Sequence, residues 1–252
     1  MNAFLKGTYT IMLREVRLGF RDRVRLISSL LRSMLWLFAF GSGLSAAQFA
    51  GLGTGYQAFL LPGILVMSVM FTGVFAGFSV IWDRDFGFLK EILVSPVSRN
   101  AIVLGKAFGV GFLALLEGAV ILLMALALGY SINLAGILPA MASLFILCMA
   151  SIGLGFIVVS LIESTEAFGG VVNLLILPLF FTSGALFPIS SAPQVMREIA
   201  LVNPFTYGVD LVRAFLLSGV PHSFPPQLDF AVVSLFALAM LYLGKRAFRT
   251  SL

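Results

Sequence analysis

The chain has 252 residues, of which 60% are hydrophobic and only 11% charged, with a mean hydropathy of +1.07. A soluble domain carries about 25% charged residues, so the composition excludes a soluble core, a disordered tail and a coiled coil, and describes an all-α integral membrane protein. A single cysteine, Cys148, excludes a disulfide scaffold, and with the single histidine, His222, it argues against a His/Cys metal site.

Residues 1–29 are too charged to span. At 100° per residue, Leu5, Tyr9, Leu13, Val16, Phe20, Val24 and Ile27 share one face, and Arg14, Arg17, Arg21 and Arg25 share an adjacent one. That is the pattern of an interfacial helix with its apolar face in lipid and its arginines among headgroups. A basic topogenic flank without regular packing is the plainer reading. Between Arg32 and Asp83 lie 50 uncharged residues, too many for one crossing of about 20 residues and right for two. The break at Gly51-Leu52-Gly53-Thr54-Gly55 places spans near 31–49 and 57–81.

The stretch from Asp83 to Arg99 mixes charges of both signs with Phe88, Leu89, Ile92 and Leu93 at roughly helical spacing, until Pro96 ends the pattern. It reads as a short amphipathic helix that a cytoplasmic partner can grip, or as a solvated loop with one helical turn. From Ala107 to Ile162, 56 residues are interrupted only by Glu117 and divide at Gly129–Asn133, giving spans near 107–128 and 135–161. A fifth span is expected near 167–187, with Pro178 in its middle, and a sixth near 227–244, bounded by Lys245 and Arg246. Between these two, Pro188 to Pro226 is mildly apolar and rich in proline. Its pieces Gln194–Val202 and Phe205–Leu217 are too short to span and too apolar for a free loop. Re-entrant helices with their backbone ends buried in protein fit this, and so does an ordered outer cap.

With the N-terminus inside, fourteen of the sixteen basic residues lie in cytoplasmic segments, and only Arg197 and Arg213 lie outside. The positive-inside rule then puts both termini in the cytoplasm, and the net charge of +5 needs no nucleic acid to explain it. A cleaved signal peptide ending at Ser45-Ala46-Ala47 is disfavoured by its long leading region. The chain, 1–252, reads as one transmembrane domain.

Chemistry is sparse. Gly105-Lys106 is followed by Ala107 and preceded by Asn100 where a P-loop needs its first Gly. No G-x-S-x-G, H-E-x-x-H or paired intramembrane carboxylates occur. Glu117 is either part of a transport path or a partner for a neighbouring helix, because an isolated carboxylate in hydrocarbon is costly. Asn173 bonds either across helices or to its own backbone. Phe180 and Phe181 either line a lipid-like path or simply pack. Gly73 and Gly77 are spaced for close helix approach.

One set of motifs runs in order along nearly the whole chain. It comprises Arg84-Asp85-Phe86-Gly87, then Glu91-Ile92-Leu93-Val94-Ser95-Pro96 and Arg99, then Leu177-Pro178-Leu179-Phe180-Phe181-Thr182-Ser183-Gly184. Phe187-Pro188, Asn203-Pro204-Phe205-Thr206-Tyr207 and Arg213 complete it. On a six-span chain of this length, the set resembles the permease of an ABC-2-type transporter, in particular the nodulation-factor and daunorubicin-type exporter permeases. The charged signature of polysaccharide permeases before the first span is not evident in Arg14–Trp36.

The resemblance implies an exporter half without a catalytic site or bound cofactor of its own, moving a hydrophobic or amphipathic substrate outward across a bacterial-type inner membrane. Two permease copies would pair, each gripped by a separate ABC ATPase subunit that binds ATP and Mg2+. It implies that Asp83, Arg84, Asp85, Phe88, Glu91, Ile92, Pro96 and Arg99 belong to the ATPase-coupling helix, and that residues 1–29 form the connecting helix beside it. Pro188, Asn203, Pro204, Tyr207 and Arg213 would belong to the outer re-entrant region. Two rivals remain: an ATP-independent carrier or channel, disfavoured by scarce intramembrane charge, and an intramembrane enzyme, disfavoured by the missing catalytic set.

Overall fold

A computed structural model describes residues 3–43, 56–85, 97–162, 164–218, 220 and 222–250. Its elements are α1 (Ala3–Arg21), α2 (Arg23–Gly43), α3 (Tyr56–Val74), α4 (Ala76–Asp85), α5 (Arg99–Ala127), α6 (Ile137–Leu161), α7 (Thr165–Phe181), α8 (Gln194–Val202), α9 (Pro204–Leu216) and α10 (Pro226–Thr250). Short 3-10 turns lie at Leu134–Gly136 and Ile189–Ser191. No strand occurs among the described residues.

Local chemistry sets the boundaries. The Asp22 carboxylate accepts from the Arg25 backbone N–H at 3.0 Å, an N-cap that starts a new helix. The basic stretch 1–29 is therefore divided, and its last residues belong to the helix that runs on to Gly43. Ser98 and Ser164 cap α5 and α7 in the same way, accepting from Ala101 and Ala167. α5 is stopped just past its last residue, Ala127, by Gly129, whose φ of 84° allows Gly129 N–H to reach Leu126 and Tyr130 N–H to reach Ala125. This is the left-handed helix stop that glycine permits, and it falls where the 56-residue apolar block was expected to divide.

Among the described residues, four helical stretches are long and apolar enough to cross a membrane: Tyr56–Asp83, Asn100–Ala127, Leu134–Leu161 and Pro226–Ala247. They coincide with the second, third, fourth and sixth expected spans. A fifth arises if α8 and α9, bent by 88° at Asn203, count as one. The expected fifth span, 167–187, is a helix of only 17 residues. At about 1.5 Å per residue it falls short of the roughly 30 Å hydrocarbon core, because the chain turns after Phe181. The expected first span begins earlier, at Arg23, and its last residues lie outside the described ones.

α3 is the central helix: all of its residues except Gln57 are buried. α6 lies against α3, α4, α5, α9 and α10. The close contact is made where backbone meets backbone. Gly73 faces Ser151, and a Cβ on Gly77 would sit 2.5 Å from the Gly155 carbonyl oxygen, so the Gly73-x-x-x-Gly77 spacing does bring two helices together. α1 packs lengthwise on the start of α5, with Ile11 against Gly105 and Glu15 against Gly109. Its partners advance together along both helices, so the two run in the same direction. The stripe read from the sequence stays on the outside, with Leu5, Tyr9, Phe20, Val24 and Ile27 all exposed.

Candidate functional site

Four charged side chains from three packing faces meet where α1, α4 and α5 converge. Glu15 lies on the α1 face that also carries Gly7, Ile11 and Gly19, one helical turn apart. Asp83 is in the last turn of α4, and Lys106 is in the second turn of α5. The Lys106 ammonium, 1% exposed, donates to Asp83 Oδ2 at 2.8 Å, Ser79 Oγ at 2.9 Å and Glu15 Oε1 at 3.0 Å. Its three protons are thereby used. Arg14 closes the cluster from the half-exposed side, donating to Asp83 Oδ1 at 2.6 Å and Oδ2 at 3.3 Å and to Glu15 Oε1 at 3.2 Å. The forked contact with Asp83 is the strong geometry for a guanidinium–carboxylate pair. Its hydrogen bond and charge hold Arg14 above the ordinary arginine value, against the opposing effect of burial. Two cations and two anions leave the cluster neutral, with each charge shared. It joins α1, α4 and α5 at the two ends of the segment 86–96.

A second polar cluster lies deeper. Glu117 of α5, 4% exposed, accepts from Thr72 Oγ1 at 2.7 Å, Ser29 Oγ at 2.9 Å and Ser68 Oγ at 3.3 Å. Glu117 thus has partners on neighbouring helices: three hydroxyls from α2 and α3 solvate its carboxylate.

Of the residues expected in the outer region, Asn203 and Arg213 reach the turn after α7. Asn203 caps α9 by accepting from Phe205 N–H, while its amide donates to Leu179 O at 2.6 Å and Thr182 Oγ1 at 3.0 Å. Pro204 sits at the first position of α9, where its missing N–H costs nothing. Arg213, buried, donates to Gly184 O at 2.9 Å and lies 4.0 Å over the Phe59 ring. Asp210 beside it accepts from the Ser223 and Phe224 backbones. Tyr207 donates to Leu201 O and stacks on Phe224, and the Pro188 carbonyl accepts from Ser191. The Asn203 and Arg213 contacts hold the turn that follows Phe181.

Other expected residues separate. Asn173 is exposed and bonds its own helix, donating to Gly169 O at 3.0 Å. Phe180 is fully buried, edge-on to Trp36 at 5.5 Å, whereas Phe181 is partly exposed. Of the expected coupling residues, Asp83 is in the buried cluster and its side chain faces α1 and α5. Arg84 and Asp85 finish α4 and Arg99 begins α5, but their side chains are outside the described set. Phe88, Glu91, Ile92 and Pro96 lie outside the described residues.

Comparison with known proteins decides the family. The family described as ABC-2 type transporter matches residues 6–217. The chain belongs to the ABC-2 type transporter family. Among its relatives, the protein named transport permease ycf38 of Cyanophora paradoxa is 33% identical over 204 residues, covering 79% of this chain and 69% of the relative. That of Pyropia yezoensis is 31% identical, covering 88% and 78%. Nodulation protein J of Rhizobium leguminosarum bv. trifolii is 31% identical, covering 76% and 74%. The chain is thus a multi-pass membrane permease, similar to transport components rather than to enzymes.

Of the charge cluster in this permease, Glu15 and Lys106 were not singled out as site residues from the sequence, and Arg14, expected among headgroups with Arg17, Arg21 and Arg25, instead turns to Asp83 and Glu15. The available signal was weak: Glu15 is an acid among arginines, placed on the helix face that carries Gly7 and Gly19 rather than on the apolar stripe. Lys106 sits at the edge of an apolar block, where topology alone accounts for a lysine. Asp229, fully buried in the first turn of α10, had no signal beyond its proximity to a span.

Proposed function

We propose that this permease is the transmembrane subunit of an ATP-driven exporter, moving a hydrophobic or amphipathic substrate from the cytoplasm or inner leaflet outward across a bacterial-type inner membrane. It has six crossings with both termini in the cytoplasm. Two copies pair, and each engages one ABC ATPase subunit that holds ATP and Mg2+. The segment from Asp83 to Arg99 is the ATPase-engaging part. The stretch 188–217 forms re-entrant helices at the outer mouth. The exposed side of α7, with Gly170, Asn173 and Leu174, faces the second copy across the path.

The observation that carries this reading, beyond family membership, is the neutral cluster at the root of the coupling segment. A partner that pushes on residues 86–96 needs a stiff attachment to the spans. Asp83 and Lys106, which flank that segment, are bonded directly at 2.8 Å and are both tied to α1. Displacement of the segment therefore moves α1, α4 and α5 together. Such a unit can have two discrete positions that nucleotide binding to the partner biases.

The test is co-expression with an ABC ATPase from the same organism, purification through a tag on the permease, and ATPase measurement in lipid nanodiscs. A two-plus-two complex with lipid-sensitive hydrolysis is expected. Glu91→Arg should leave a monodisperse permease that no longer retains the ATPase or supports export. Export by the permease alone, or full ATP-dependent export by Glu91→Arg, would move the carrier or channel reading into first place.

A further inference from the structure

A cavity of about 830 Å³ lies between α1, α2 and the α3–α4 pair, within the size range of small-ligand sites. Arg14, Leu18 and Arg21 line it from α1, and Arg25, Ser29 and Arg32 line it from α2 on the other side of the Asp22 break. The facing wall is aromatic: Phe71, Phe75, Phe78 and Trp82 follow one side of α3 and α4. Within it, Phe71 stacks on Phe75 at 6.2 Å and Phe78 lies 5.7 Å from Trp82.

The charges lining this space are unequally used. Glu15 and Asp83 are satisfied by Arg14 and Lys106. Arg32 lies 4.4 Å over the Phe71 ring, and Asp22 caps the Arg25 backbone. The guanidiniums of Arg21 and Arg25, exposed at the mouth, make no hydrogen bond or ion pair among the described residues. The available charge is therefore cationic and forked, suited to a phosphate or carboxylate, and it stands over a wall suited to hydrocarbon.

We propose that the cavity lined by α1, α2 and the α3–α4 pair binds an anionic amphiphile, its phosphate-like headgroup held by Arg21 and Arg25 and its chain laid along Phe71, Phe75, Phe78 and Trp82. A bilayer phospholipid and an exported cargo both present this chemistry. Only the cargo source rests on the exporter reading.

Trp82 and Trp36 are the two tryptophans, so Trp36→Phe leaves Trp82 as a reporter inside the site. The full chain, reconstituted in phosphatidylcholine nanodiscs, is titrated with brominated phosphatidylglycerol or brominated phosphatidylcholine. Phosphatidylglycerol should half-quench Trp82 at a mole fraction lower by on the order of tenfold. The double variant Arg21→Gln/Arg25→Gln should abolish that difference, while Arg246→Gln retains it. Displacement of brominated phosphatidylglycerol by decyl phosphate identifies a site open to single-chain, cargo-like amphiphiles. Resistance to displacement identifies a resident bilayer lipid, and either result supports an anionic amphiphile site. Equal quenching by the two brominated lipids, or a preference that survives the double variant, overturns it. No ATPase is needed, so a failure here leaves the exporter reading intact, and failed ATPase assembly leaves this result intact.

Discussion

Replacing Lys106 by methionine tests whether the buried cluster behaves as one unit. The substitution keeps the length of the apolar stem and removes an ammonium that is 1% exposed and bonded to Glu15, Asp83 and Ser79. Two buried carboxylates then face Arg14 alone. Removing one partner of a buried ion pair costs about 3–5 kcal/mol, because the remaining charge stays desolvated. For a chain of this size that corresponds to a melting midpoint lower by roughly 10 °C. Tryptophan-fluorescence melts in detergent micelles would compare the parent, Lys106→Met, Glu15→Gln and the double variant. Neutralising Glu15 as well restores the charge balance, so the double variant should fall short of the summed losses by about 1.5–3 kcal/mol. A Lys106→Met melt matching the parent, or losses additive within about 0.5 kcal/mol, would refute the claim that these charges form one neutral unit.

The deeper cluster predicts a graded series in the same melts. Glu117→Gln keeps the shape and weakens three charge-assisted bonds, for a loss of about 1–2 kcal/mol, and Glu117→Leu should cost more by leaving Ser68 and Thr72 short of an acceptor, while Ser29 keeps the Leu26 carbonyl. Asp229 is fully buried, with neither carboxylate oxygen hydrogen-bonded among the described residues. Asp229→Asn should therefore raise the midpoint, by the equivalent of about 1 kcal/mol. Gly77→Leu drives a side chain into the Gly155 backbone and should cost about 3 kcal/mol or more, read as loss of monodisperse protein on size exclusion. Gly170→Ala, which meets open space, should be recovered at the parental yield.

Most of the membrane architecture was legible because it depends on composition over windows of about 20 residues. Hydropathy marks the long apolar helices whatever their neighbours, and a glycine marks the end of one of them, at Gly129. The helices at Gln194–Val202 and Pro204–Leu216 were legible for a related reason: proline and asparagine act locally, and the second helix differs from the expected 205–217 by one residue. The break at Asp22 was less legible. The apolar stripe continues through Val24 and Ile27 in phase, and only the side-chain bond from Asp22 to the Arg25 amide shows that one helix ends there and another begins.

The sequence by itself determined that this is an all-α membrane protein, where its four long apolar helices among the described residues lie, and the family, since these rest on composition, spacing and ordered motifs. Tertiary structure alone decided what the charged residues do. Glu15, Asp83 and Lys106 are separated by 68 and 23 residues along the chain yet bond within 3.0 Å in space, and no local pattern encodes that meeting. It also decided that Glu117 is solvated by hydroxyls from two other helices and that Asn173 serves its own backbone. A buried polar group takes its role from the partners that packing brings to it, and packing is a property of the whole chain.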